Sequence, residues 1–575
     1  MVTAMCKNQG MSILAGAFAV IMTVLAVIGA IRMYSPIPHW DMWDGTLQFY
    51  LDAQDGIASA WWRQHNEHRV LLSRILFWLD YRYFGGISIF LIVMNYVIVV
   101  AAIWVFWILL RDTKNGGRST NSRNALALFI AGSLFFWSQD NNLTWGFQSQ
   151  FFLAQLLPMC GLVWLGRSIQ HEDSAADFAL ACFFGVLATG TMANGVLALP
   201  LMVLCAVVLR LSPLRIVILV VLAALCLTAY FATYVPPPFH GHLSDALRDQ
   251  PLRLLAYTMM YLGSPFYFMV GKGVVGMWVA AAAGSVLALG SAWLTLRLVW
   301  KARQASISIA LLFFILYIGG SAFGTAGGRL IFGMESATSS RYTTPALMAW
   351  LAFTIVLYLN SGLSRSARSA KYAGLVFVVA AILMLNYQVR AARGEADMLQ
   401  NREVAALALE LGIKDQEYIS LVYPKMEEPL ALTRAAQARE LTVFGRFPYR
   451  GLKAQMGADA ASETLPVCSG RLERVADLPE DAGYWRIYGW VFNDLADASP
   501  KLVKIVEDNS IIGFALTGQS RRDLASSISK SAVKAGFVGY MKRNSKNASI
   551  KAIGIDVPCQ LDLGEFSPAP IGVKN

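Results

Sequence analysis

Apolar runs of membrane-spanning length succeed one another as far as residue 390, with short polar connections between them. Eleven are predicted as spanning helices: 11–33, 86–110, 124–138, 151–166, 177–193, 195–211, 214–234, 273–297, 306–323, 343–360 and 372–388. Two further apolar stretches are predicted not to cross. Residues 70–84 carry Arg74, Asp80 and Arg82, the pattern of an amphipathic helix lying at the interface. Residues 252–270 are broken by Gly263-Ser264-Pro265 and read as re-entrant or interfacial. With this count and the N-terminus inside, the basic stretches 111–123, 210–215, Arg297 to Arg303 and 365–371 all fall on the cytoplasmic side, where Lys and Arg gather. The outer face then collects the loops 36–69, 139–150, 236–250 and 324–344, and everything after about 386.

Beyond residue 390 the pattern changes twice. Residues 391–465 are charged and rich in Ala and Leu, with helical periodicity in 401–413. From Cys468 onward short alternating runs such as 485–492, 501–508, 510–518, 536–541 and 549–556 are separated by Asp, Asn, Gly and Ser turns. This predicts a small β-sandwich. The expected organisation is a transmembrane domain over 1–390, a helical extracytoplasmic linker region over 391–465, and a β-sandwich accessory domain over 466–575. Cys468 and Cys559 bracket the last of these, no other tail Cys competes, and an oxidising compartment would let them form a disulfide.

Composition agrees with a polytopic membrane protein. Of 575 residues 56% are hydrophobic and 15% charged, and the mean hydropathy is +0.49; a soluble domain cannot bury so much apolar surface. The net charge of +11 sits largely in short inter-helix loops and the tail, which fits topology and lipid headgroups. No basic-aromatic nucleic-acid module is present, so no nucleic-acid partner is expected. The first run is too long for a signal-peptide core and reads as a retained helix. Cys160, Cys182, Cys205 and Cys226 lie in apolar segments and Cys6 near the N-terminus, none at zinc-ligand spacing.

The candidate chemistry is concentrated in residues 36–69. This loop holds Asp41, Asp44, Asp52, Asp55 and Glu67, three His, and Trp40, Trp43, Trp61 and Trp62. Activating a sugar hydroxyl needs a general base, usually a carboxylate. Asp41 and Asp44 are three residues apart and would share one helical face. Trp40 and Trp43 beside them suit sugar stacking, and equally an interfacial aromatic belt. In His65-Asn66-Glu67-His68-Arg69, Arg69 offers a fork for phosphate, Glu67 an acid or base, and His68 a proton donor or metal ligand. The spacing matches no complete zinc motif; Mg²⁺ or Mn²⁺ held loosely by Asp41 and Asp44 is an alternative. Arg329 and Arg341-Tyr342 occupy Gly- and Ser-rich surroundings at helix boundaries, suited to a lipid phosphate, with snorkelling as the plainer reading. Lys272, after the Gly-Ser-Pro break, is placed to join them. His240, His242 and the polar loop 139–150, with Trp145 as a stacking residue, are further candidates for substrate contact.

The many-helix core, the Asp41-Met42-Trp43-Asp44 motif in the first long outer loop, Ser340-Arg341-Tyr342 before a late helix and the outward tail resemble the GT-C superfamily of integral-membrane glycosyltransferases. The resemblance covers about residues 10–390. It implies transfer of sugar from a polyprenyl-phosphate carrier to a glycan, lipid or protein acceptor on the outer face. Asp41 or Asp44 would then be the base, and the Arg residues would hold the leaving phosphate. The pair here is spaced DxxD rather than DxD, and the Asn66-Glu67-His68-Arg69 motif is not general to these enzymes. The choice among Asp41, Asp44 and Glu67 stays open.

The expected setting is a bacterial cytoplasmic membrane with a periplasmic tail, membrane lipids and other envelope-assembly proteins being the remaining partners. Two other readings stand beside it: a glycan polymerase or ligase using a diphosphate-linked donor, and a lipid-linked-sugar transporter or flippase. The transporter predicts internal repeats and midplane charges, and neither is visible.

Overall fold

The chain's Gly, Pro and polar interruptions cut its apolar runs into helices of unequal length. The structure, a computed structural model, describes residues 2–111, 120–360, 367–460, 464–543 and 549–565. Most of the basic stretch 111–123, the first residues of 365–371 and the side chain of Cys6 lie outside the described residues. The chain forms two units.

The first unit comprises residues 1–34, 58–76 and 88–394. Among its described residues eight helices are long and apolar enough to cross a membrane: Gly10–Met33, Ile89–Arg111, Gly146–Gln170, Pro213–Phe231, Val274–Lys301, Ser306–Phe332, Ser340–Asn360 and Gly374–Ala392. This is a multi-pass membrane protein. The other three predicted spans are also helices, Thr120–Ser133, Ala175–Ala188 and Ala198–Val208, of 14, 14 and 11 residues. At 1.5 Å per residue the longest of these reach about 21 Å, short of a hydrocarbon core of roughly 30 Å. Burial separates central from peripheral helices: Gly146–Gln170 is 83% buried and Pro213–Phe231 only 17%.

The stretch 252–270 forms two short helices, Pro251–Leu262 and Ser264–Val270, with Gly263 between them. Gly263 is required by close approach: a Cβ there would stand 1.9 Å from the Ala280 carbonyl oxygen. Residues 70–84 form the helix Leu71–Phe84.

Loops of the first unit gather at the two ends of its helices. At one end Arg303 donates to the Arg210 carbonyl at 3.0 Å and pairs with Asp173 at 2.9 Å. At the other, Gly241 N donates to Gly328 O at 3.1 Å, Asn142 Nδ2 to Arg341 O at 2.9 Å, and Ala193 N to His68 Nδ1 at 3.1 Å. The polar loops 139–150, 236–250 and 324–344 and the Glu67 hairpin therefore share one end of the bundle.

The second unit comprises residues 35–57, 77–87 and 395–575. Its β-strands are β1 (Ser469–Asp477), β2 (Tyr484–Phe492), β3 (Leu502–Glu507), β4 (Ser510–Gln519), β5 (Gly536–Lys542), β6 (Ser549–Gly554) and β7 (Cys559–Glu565). The sequence pattern predicted two packed sheets. The described strands instead make one antiparallel sheet in the order β1-β2-β5-β4-β3-β6-β7. Its two ends meet, since Val467 bridges Gln560 and Cys468 is disulfide-bonded to Cys559. Short alternating strands serve a curled sheet as well as a sandwich, so alternation alone does not separate the two.

Both faces of the sheet are apolar. Ile487, Val503, Ile505 and Phe537 pack inside the curl, while Phe514, Leu516, Val538 and Tyr540 pack with Val404, Leu407 and Leu411 of the helix Ala396–Leu411. Arg486 holds Asp415 through both carboxylate oxygens at 3.0 and 2.9 Å, and Tyr540 Oη donates to Asp415 at 2.8 Å.

Candidate active site

His65 and His68 pair through their backbones in both directions at 2.8 Å, making a two-residue turn of Asn66 and Glu67. Asn66 adopts φ 48°, a left-handed conformation that Asn tolerates better than most residues. The turn is braced from below by Arg69. Its Nε donates to Tyr230 O at 2.8 Å, Nη1 to Trp62 O at 2.6 Å and Nη2 to Thr233 Oγ1 at 2.8 Å. At 2% exposure, with all three nitrogens engaged by the fold, Arg69 is a brace for the hairpin. It is not the phosphate ligand that its fork geometry led us to expect.

The turn carries Glu67 into a ring of cationic and imidazole groups. Arg329 Nη2 lies 3.1 Å from Oε1, His68 Nε2 3.6 Å from Oε1, and His240 Nδ1 3.3 Å from Oε2. Because His68 Nδ1 accepts the Ala193 N–H, the proton of the neutral ring is assigned to Nε2, the nitrogen facing Glu67. Burial pushes the Glu67 carboxyl up, but His68, Arg329 and His240 together outweigh it and hold the pKa down at about 2. Burial likewise lowers the pKa of His240, with Glu67 opposing and Arg329 adding to the effect.

Arg341 differs from Arg69. Its carbonyl is fixed by Asn142, whose amide also reaches Thr344 Oγ1 at 2.7 Å. Its guanidinium lies 5.5 Å from the Tyr342 ring and, among the described residues, makes no hydrogen bond or ion pair. Tyr342 stacks on Tyr261 with ring centroids 4.9 Å apart. Tyr257, hydrogen-bonded to Ser336 Oγ at 3.0 Å, lies within electrostatic reach of both Arg329 and Arg341. No sequence signal marked Tyr257, because it sits in an apolar stretch without a motif. Lys272 stands between Gly271 and Gly273, both at positive φ, with its ammonium 5.5 Å from the Phe268 ring.

Of the predicted site residues, Glu67, His68, Arg69, Trp145, Lys272, Arg329, Arg341 and Tyr342 belong to the first unit, and Trp40, Asp41, Trp43 and Asp44 to the second. Trp145 packs against Phe147 at 5.5 Å. Asn142 and Gln148 beside it are buried, so these polar residues of the 139–150 loop serve the fold rather than an open sugar site. Trp43 is fully buried against Phe444, which corrects its expected stacking role; Trp40 is 46% exposed.

Asp41 is half-buried and Asp44 exposed, the latter on a π-helical turn, Trp43–Gln48. Burial, Glu428, Asp44 and Asp41 all raise the pKa of the Tyr423 hydroxyl, so these groups share one acidic neighbourhood. Among the described residues the Asp41 carboxylate makes no hydrogen bond or ion pair. Nearby, burial and then Arg402 push His39 down to about 3, leaving it neutral at pH 7. Among the described residues no three His, Cys, Asp or Glu side chains converge to hold a metal ion, so no step is assigned to Mg²⁺ or Mn²⁺.

No family model matches the chain, and no curated protein matches it. Among solved structures it is similar to the archaeal oligosaccharyltransferase AglB from Archaeoglobus fulgidus, in complex with an inhibitory peptide and a dolichol-phosphate. The identity is 12%, the TM-score is 0.37, and the likeness covers 71% of this chain. The chain spans 59% of the length of that protein.

Proposed function

We propose that the protein is a GT-C-type glycosyltransferase that moves a sugar from a polyprenyl-phosphate donor to an envelope glycan or lipid on the periplasmic face of a bacterial membrane. One observation carries this reading. At one end of a membrane bundle the Arg341 guanidinium, beside the Tyr342 ring, makes no hydrogen bond or ion pair among the described residues, and Arg329 is held through a single nitrogen, which suits receipt of an anionic headgroup.

In the proposed step a loop carboxylate takes the proton of the acceptor hydroxyl. The acceptor oxygen bonds to the anomeric carbon, and the bond from that carbon to the phosphate oxygen breaks. The polyprenyl phosphate leaves with the electron pair and is stabilised by Arg329 and Arg341. Glu67, whose proton affinity is reduced by its cationic neighbours, fits a counter-ion that holds Arg329 in place. The proton-accepting role then falls to Asp41 or Asp44. Lys272 is a further cation for the carrier, and Tyr342 orients Arg341.

The test is transfer of labelled sugar from a synthetic polyprenyl-phosphate donor to a bacterial glycan-lipid extract by the protein in nanodiscs. Formation of a new glycosidic bond is expected. Movement of intact donor across the membrane with no new bond would overturn the reading in favour of a transporter.

A further inference from the structure

Beside the Glu67 turn lies a groove of about 610 Å³, within the range of small-molecule sites. Its walls are the 59–66 segment and the 233–239 loop, both in the first unit. We propose that this groove binds the saccharide of the acceptor, an inference that rests on the glycosyltransferase reading above.

The lining supports a saccharide. The lining mixes an aromatic ring, Trp62, with the hydrogen-bonding side chains of Ser59, Asn66 and Thr233, and Phe239 at 76% exposure forms a rim. A pyranose has apolar C–H faces and a hydroxyl edge, so it needs both kinds of surface at once. A lipid tail would call for apolar lining throughout. Of the two arginines in the lining, Arg69 is taken up by Trp62 O, Tyr230 O and Thr233 Oγ1, and Arg63 is exposed; a guanidinium donates to saccharide hydroxyls as well as to an anion.

The groove is also preformed. Gln64 crosses between its walls, donating from Nε2 to Val235 O at 2.6 Å and accepting the Val235 N–H on Oε1 at 3.0 Å. The Arg69 guanidinium lies 5.4 Å from the Trp62 ring centroid and fixes that ring as well. Rigid walls reduce the entropy lost when a ligand is ordered. The groove's position fits an acceptor: its lining residues Asn66 and Phe239 directly precede Glu67 and His240 in the chain. A saccharide seated there would run towards the anion-receptive end of the site.

The test uses the full-length protein in nanodiscs with N66G, which keeps the left-handed turn, and F239A, an exposed position where folding is not at stake. The half-saturating concentration of the glycan-lipid extract should rise at least fivefold in each. Half-saturation by the polyprenyl-phosphate donor, and turnover at saturating extract, should stay within twofold. An unchanged acceptor requirement in both variants would overturn the proposal, as would a rise in the donor requirement instead, which would assign the groove to the carrier lipid. If the wild type transfers no sugar, the glycosyltransferase reading has failed. Equilibrium binding of the extract then decides the groove by itself, with equal binding by wild type and N66G counting against it.

Discussion

Arg329 reaches Glu67 through one nitrogen only, Nη2 to Oε1 at 3.1 Å. The pair keeps the carboxylate charged and the guanidinium aimed, and it leaves the remaining guanidinium donors for a ligand. E67Q should therefore reduce turnover at least tenfold without moving the acid limb of the pH–rate profile. A limb that disappears in E67Q would make Glu67 the base. The carboxyl is also depressed from 4.5 to about 2, so its contribution to stability is present above pH 4.5 and is lost as the pH falls towards 2. By linkage this is on the order of 3 kcal/mol. The melting temperatures of wild type and E67Q should differ at pH 7 and converge as the medium is acidified below pH 4.5.

Two arginines expected to act alike should behave differently. R341Q removes a guanidinium that makes no hydrogen bond or ion pair among the described residues and only faces the Tyr342 ring, so thermal stability should change little while the half-saturating donor concentration rises about tenfold or more, as for loss of a charge-assisted contact. R69Q leaves buried carbonyls and a hydroxyl without their donor, at a cost of about 2–4 kcal/mol. Its melting temperature should drop sharply. R69K should not restore it, because an ammonium cannot reproduce the three-way fork. Equal stability of R69Q and R341Q would contradict this division.

The proton-accepting carboxylate is separated by single isosteric changes. D41N or D44N should lower turnover by about 10²–10⁴, the usual contribution of a general base, with donor half-saturation little altered. The variant that loses the acid limb identifies the base. If both keep wild-type turnover, the base lies elsewhere.

Much of this architecture was legible because hydrophobicity is written locally. Each of the eleven apolar runs became a helix, and the Gly263-Ser264-Pro265 break fell where a helix ends. Length, rather than composition, keeps Ala175–Ala188 and Ala198–Val208 from crossing a membrane, whereas Thr120–Ser133 is both short and polar over its first turn. What remained hidden depends on distant partners. The pattern around Arg69 and Arg341 is similarly polar, yet Tyr230, Thr233 and Trp62 saturate the first, while the second makes no hydrogen bond or ion pair among the described residues. Trp43 looked like a stacking residue because nothing local says that Phe444, some four hundred positions on, covers it. The meeting of Glu67, His240 and Arg329 is likewise a product of folding, since no spacing links them.

Glu410 in the second unit gives a pH test independent of any substrate. It is 1% exposed, and Gln437 Nε2 donates to its Oε2 at 2.7 Å. Burial dominates over these contacts and raises its pKa from 4.5 to about 7. An acid whose folded pKa is raised weakens the fold as it ionises. The wild type should carry no penalty below pH 4.5, lose stability as the pH rises from there to 7, and hold the full penalty above. The size is on the order of 3 kcal/mol by linkage. E410Q keeps an acceptor towards Gln437 but cannot ionise. Measured against E410Q from pH 5 to 8, the wild-type melting temperature should fall up to about pH 7 and then level off, all other titrating groups being common to both. Parallel curves would show that Glu410 ionises in the folded protein at its ordinary pKa.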